Sequence, residues 1–185
     1  KKSRIIVGDG REVLLTIDAR YDVIISEPSN PYRAGVASLF TREFYQAAKS
    51  RMNDGGIFVQ WVQSYEVDPA ALRTVVGTLR AEFAHVAVWQ SMIDSDLLLV
   101  ASEKPVFPAK KTLEARLATE PYKSGFARAW GVAGVEGLLT GYITGDRFAK
   151  SVLEAQGERL NTDDRTLVEF LFARSLGRKI KVHAS

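Results

Sequence analysis

The stretch Tyr21-Asp22-Val23-Ile24-Ile25-Ser26-Glu27-Pro28-Ser29-Asn30-Pro31-Tyr32 decides the fold. Val23 to Ile25 form a short β-branched run without alternation, the pattern of a strand buried on both faces of a parallel sheet. Ser26-Glu27 end the run, and two prolines and an asparagine then stop regular structure. A carboxylate just past the carboxyl end of such a strand stands where open α/β sheets bind ligands. Pro28 and Pro31 fix φ and stiffen the loop around Glu27 and Asn30. Taken alone, the stretch also reads as a strand end with a solvated glutamate and a proline turn.

The segments that follow extend the pattern. Thr41 is an N-cap with Glu43 in the first turn of a helix to about Met52, whose stripe is Phe44, Ala47, Ala48 and Met52 and whose stop is Gly55. Ile57 to Val62 read as the next buried strand, with Gln60, Trp61, Gln63, Ser64 and Tyr65 at its carboxyl end. Asp68-Pro69 is an N-cap followed by an N1 proline, and Leu72, Val75, Val76, Leu79 and Phe83 form one apolar helix face. Val86–Trp89 and Leu97–Ala101, joined by Met92 to Asp96, read as an antiparallel pair. Trp61 suits a core position.

Arg4 to Val7 read as a further buried strand leading into Gly8-Asp9-Gly10. Two readings of these glycines stay open on the residues. A dinucleotide-type loop would use Glu27 on a ribose, but leaves only Arg11 to Asp18 for a crossover helix. A helix N-cap Asp9 beside a turn glycine is the plainer reading.

The Glu-Pro-Ser-Asn-Pro loop, the Leu39-Phe40-Thr41 helix start and the Gly55-Gly56 turn into a strand with Gln60-Trp61 together resemble the spermidine synthase (polyamine aminopropyltransferase) family. The resemblance spans about residues 4–104, and the later Asn161-Thr162-Asp163-Asp164-Arg165 is similar to a branch often fused to a membrane transporter-like region. It implies a Rossmann-like, S-adenosylmethionine-dependent methyltransferase-type α/β sheet, mostly parallel with an antiparallel final strand. It also implies aminopropyl transfer from decarboxylated S-adenosylmethionine to a small amine, without metal, in polyamine biosynthesis. Asp9 and Gly10 then meet the adenine, with Ser26 and Pro28 as further co-substrate contacts. Glu27 takes the place of the family's proton-accepting Asp, one methylene longer. Asn30, Tyr32, Gln60 and Tyr65 face the acceptor. Asn30 stands where the family carries a second Asp, and the lost charge is worth roughly 1–3 kcal/mol at a partly buried site. A methyltransferase, or a non-catalytic nucleoside-binding domain, would use the same scaffold.

The resemblance makes Arg4–Val7 the third strand of a longer sheet, and the segment alone is then expected to be inactive. Either that strand pairs with Tyr21–Ser26, or another chain covers the edge, as in a homo-dimer.

Composition sets the limits. At 185 residues the chain suits one core with a small appendage. Residues 1–104 read as the α/β part and 105–185 as helices packed on it: Lys110–Thr119, Pro121–Trp130, Val135–Tyr142, Asp146–Ala155 and Thr166–Ser175, the last also compatible with strand alternation. Asp163 and Asp164 are either turn caps or an extra site carboxylate. There are no cysteines, and the two histidines, His85 and His183, stand far apart, against a metal site. The net charge of +3 is mild, and the basic residues Arg174, Arg178, Lys179 and Lys181 lack interleaved aromatics, against nucleic acid. No apolar run reaches membrane-span length, so the segment is expected in the cytoplasm without membrane contact.

Overall fold

A computed structural model of the chain describes residues 3–29, 31, 33, 35–65, 67–91, 96–157 and 159–175. Helix α1 (Gly10–Thr16) precedes strand β1 (Tyr21–Ser26). A 3₁₀ turn (Val36–Phe40) then leads into α2 (Arg42–Ser50), β2 (Met52–Val62), α3 (Pro69–Glu82), β3 (His85–Gln90) and β4 (Leu97–Ser102). The remainder is α4 (Lys110–Leu117), α5 (Tyr122–Trp130), α6 (Gly134–Leu139), β5 (Tyr142–Thr144), α7 (Asp146–Gln156) and α8 (Leu167–Ser175).

The strands form one α/β sheet in the order β1-β2-β4-β3-β5. β1 and β2 are parallel, because α2 carries the chain back between them, and the other three pairings are antiparallel. The closing β3–β4 hairpin is antiparallel as expected, while the parallel part within this chain is a single pair. Gly55 and Gly56 make the β1–β2 approach possible. Gly55 has φ +73°, and a Cβ on Gly56 would stand 3.0–3.3 Å from the carbonyl oxygens of Asn53, Tyr21 and Asp22.

Local signals set the helices. The Thr41 hydroxyl accepts from the Phe44 N–H at 3.3 Å, and Asp68 Oδ1 from the Ala70 N–H at 2.6 Å with Pro69 at N1. α2 stops at Ser50, not Met52, and Gly55 is not its terminator: the Arg51 N–H closes the helix on Ala48 and Lys49 carbonyls, and β2 begins at once. Both long helices bury an apolar face on one side of the sheet. There Phe44, Tyr45, Phe58 and Phe83 meet at ring-centroid distances of 5.6–6.2 Å. Ala149 and Val152 of α7 and Val168 and Phe172 of α8 join the same core. Residues 167–175 are therefore helix, not strand.

Three expectations need correction. Residues 4–7 form no strand: Ile5 and Val7 are 89% and 97% exposed, because nothing among the described residues pairs with them. β1 is consequently an edge strand, and the option that residues 4–7 cover it does not hold. Nor is β1 buried on both faces. Ile24 packs on the core, while Val23 is 53% and Ile25 66% exposed on the opposite face. The segment expected as one helix to Tyr142 ends at Leu139 and gives way to β5, which pairs with β3 through Trp89 and Val88. Trp89, Phe107 and Tyr142 pack together over that pairing, and Asp146 binds both His85 Nδ1 and the Val86 N–H, fixing α7 beside β3. Among the described residues, no helix is long and apolar enough to cross a membrane.

Candidate functional site

The parallel pair sets the register of the site. Ser26, the last residue of β1, lies opposite Gln60 of β2, so Glu27 emerges beside the Gln60 backbone at the carboxyl end of both strands. Glu27 is exposed, whereas Ser26 and Pro28 on either side are buried. The chain is thus held tightly on both sides of a carboxylate that reaches outward. Asn30 and Tyr32 lie outside the described residues.

Below Glu27, Gln60 is fully buried. Its amide nitrogen donates to the Ser26 carbonyl at 3.4 Å and to the Trp61 carbonyl at 3.1 Å, while its Oε1 has no partner among the described residues. Immediately after the end of β2, Gln63 repeats the arrangement. Its amide donates to the Tyr65 carbonyl at 3.1 Å and its buried Oε1 is also unpartnered. An unpaired buried carbonyl costs about 1–3 kcal/mol, so two of them at one strand end are acceptors that no group among the described residues satisfies. Tyr65 itself is exposed.

Asp96 brings a second carboxylate to the same end. It precedes β4, whose first residue pairs with Val62, and it accepts from the Ser64 N–H at 2.9 Å while almost fully buried. The sequence places Gln63 at the carboxyl end of this strand without giving it a role, and Asp96 only in the link between two strands. Both sit where β2 and its antiparallel partner end together, and that pairing is the signal that marks them.

Asp9 caps α1, accepting from the Arg11 and Glu12 N–H groups at 2.8 and 3.3 Å. Gly10 opens the helix with free space where a Cβ would stand. The direction of α1 follows from Arg11 and Arg51. Arg11 Nη1 reaches the Ser38 carbonyl before α2 at 3.1 Å, while Arg51 after α2 reaches the Leu14 and Leu15 carbonyls near the end of α1. The two helices run side by side in one direction. The amino end of α1, with Asp9, is therefore at the same end of the sheet as Glu27.

The Asn161–Arg165 turn locks this end. Buried Asn161 donates from its amide to the Phe40 carbonyl at 3.0 Å and accepts from the Val168 N–H at 3.1 Å. Its own N–H meets the Thr78 hydroxyl and its carbonyl the Arg42 N–H. Asp163 takes a two-pronged ion pair from Arg11, and its N–H donates to Glu43. The Arg11 hydrogen bond holds the Asp163 carboxyl below its ordinary range, against a smaller opposing effect of burial. Asp163 is thus occupied in a clamp, while Asp164 is exposed. Among the described residues, no three His, Asp or Glu side chains gather to hold a metal ion.

Comparison with known proteins agrees with this architecture. The spermine/spermidine synthase domain model matches residues 1–102. A polyamine aminopropyltransferase of Korarchaeum cryptofilum is 28% identical over 92 residues, covering 50% of this chain and 28% of that protein. Polyamine aminopropyltransferase 2 of Hyperthermus butylicus is 33% identical over 113 residues, covering 59% and 37%. The chain thus spans about a third of the length of these relatives. The crystal structure of a probable spermidine synthase from Corynebacterium glutamicum superposes with a TM-score of 0.52 at 19% identity, over 86% of this chain and 54% of that one, which is a likeness of fold.

Proposed function

The chain belongs to the spermine/spermidine synthase family, and from that premise we propose that it carries the acceptor side of an aminopropyl-transfer site. The supporting observation is the pair of unpartnered buried oxygens, Gln60 Oε1 and Gln63 Oε1, below a carboxylate held at the mouth of a parallel strand pair. Oxygens of this kind accept N–H bonds from an amine and orient it. The attacking nitrogen must be neutral. As it forms a bond to the aminopropyl carbon of decarboxylated S-adenosylmethionine, the carbon–sulfur bond breaks and methylthioadenosine leaves. The nitrogen then carries one proton too many, and Glu27 takes it.

Asp96 adds negative charge that favours a second ammonium of the acceptor, offsetting the neutral Asn30. Asp9 and Gly10 meet the adenine, Ser26 and Pro28 shape the co-substrate side, and Tyr32 and Tyr65 flank the amine. On this reading residues 1–104 hold the chemistry, residues 105–185 are an appendage that braces it, and the setting is cytoplasmic. The exposed β1 edge is covered by a further strand, from the same protein or from a second copy.

Titration calorimetry of the full-length protein with decarboxylated S-adenosylmethionine, S-adenosylmethionine and methylthioadenosine tests the reading. Binding of the first and third supports it; preference for the second would make the protein a methyltransferase, and no binding a non-catalytic relative. Replacing Glu27 with Gln should lower kcat by about 10²–10⁴-fold with the fold intact. Undiminished turnover would remove Glu27 from the role of base.

A further inference from the structure

A groove of about 800 Å³ opens on the outer side of α3, between α7 and α8, and none of the residues assigned to aminopropyl transfer lines it. Four guanidinium groups do: Arg73 of α3, Arg159 beyond α7, Arg165 in the turn before α8, and Arg174 in its last turn. Among the described residues, no carboxylate lines the groove. All four arginines are exposed, and none joins a salt bridge among the described residues. Elsewhere on the described surface, Lys150 of α7 and Lys110 of α4 each face a glutamate one turn on.

An arginine stays charged at every accessible pH, so four around one concavity repel each other permanently. Such walls also focus a positive potential into the space they enclose. The arrangement suits an anion with several charges, and the planar fork of Arg fits phosphate through two parallel hydrogen bonds. The remainder of the wall is apolar. Phe170 is 68% exposed although its α8 neighbours Val168 and Phe172 are buried, and Leu167 stands beside it in the lining. A bare aromatic ring among guanidinium groups offers a flat surface for stacking. The volume lies within the range of small-molecule sites.

We propose that this groove is a second ligand site, for a small organic di- or triphosphate whose phosphates bridge the arginines while its organic part lies on Phe170. The inference is independent of the aminopropyl-transfer reading.

Titration calorimetry with inorganic triphosphate, ATP and citrate, at low and physiological salt, provides the test. Saturating methylthioadenosine is included so that ATP cannot report on a nucleoside site. Triphosphate and ATP should bind, citrate should bind markedly more weakly, and affinity should fall with salt. The double substitution Arg73→Gln/Arg165→Gln removes charge-assisted hydrogen bonds and should weaken both phosphates by more than about tenfold. Phe170→Ala should weaken ATP and leave triphosphate unchanged. These positions are exposed, and a matching thermal melt verifies the fold. The proposal is overturned by absence of phosphate binding, by citrate binding as tightly as triphosphate, or by unchanged affinity in the double variant.

Discussion

The two ends of the sheet are built from similar apolar sequence and meet opposite surroundings. Around β3 and β4, Val86, Ala87, Val88, Leu97, Leu99 and Ala101 are buried, and β5 and α7 close the margin. At β1 the equally β-branched Val23 and Ile25 stand open, and the outer edge pairs with nothing among the described residues. The difference separates the packed side of the sheet from the side where the proposed chemistry lies. The β3–β4 end supplies rigid packing; the β1–β2 end carries Glu27, Gln60 and Gln63, and the two glutamines keep side-chain oxygens that no group among the described residues satisfies.

Substitutions on the two sides should therefore separate sharply. Phe58→Ala empties the meeting point of the aromatic core and should cost about 3–5 kcal/mol, read as a fall in urea midpoint at constant m. Asn161→Ala leaves the Phe40 carbonyl and the Val168 N–H without their side-chain partner, and should cost roughly 2–4 kcal/mol. A cost below that of an ordinary surface change would show that the turn does not brace the site. Asp163→Asn should matter less, below about 1 kcal/mol, because the ion pair with Arg11 is partly open to solvent. Its sign is set by the lowered carboxyl pKa. The stabilisation is present above the unfolded pKa of about 3.9 and is lost as the pH falls through the folded value, so the native protein should lose more stability on acidification than Asp163→Asn. Smallest of all, Ile25→Thr in this 185-residue chain should stay within about 0.5 kcal/mol of the original, since its side chain is already in water. A large loss there would break the contrast by revealing a covered face.

How far the sequence could be read follows the same division. Signals that act within a few residues were legible: the Thr41 and Asp68 caps, Pro69 at N1, the apolar faces of α2 and α3, and the β3–β4 hairpin. Features decided by a distant partner were not. Residues 4–7 and 23–25 share an apolar pattern, but burial depends on a layer being present, and only Ile24 finds one. β5 is three residues long and exists only through its pairing with β3. In the proposed site, Glu27 and Gln60 follow from their motifs and Gln63 from its place at the strand end, whereas Asp96 joins them only because β4 begins in register with the end of β2. The arginine groove draws on three separate elements, so no single segment announces it. Tyr45 is an oddity: burial pushes its phenol up, and its hydroxyl has no partner among the described residues.

The brevity of β5 has a consequence for self-association. A β-ladder grows sideways only from a margin offering unpaired amides over some length. β5 has three residues and runs almost at once into α7, so that side presents little to extend; β1 presents six. Two copies meeting β1 to β1 about a twofold axis would exhaust the usable margin, leaving no template for a third. Once β1 is paired, the described residues offer only the three of β5 as a margin for further growth.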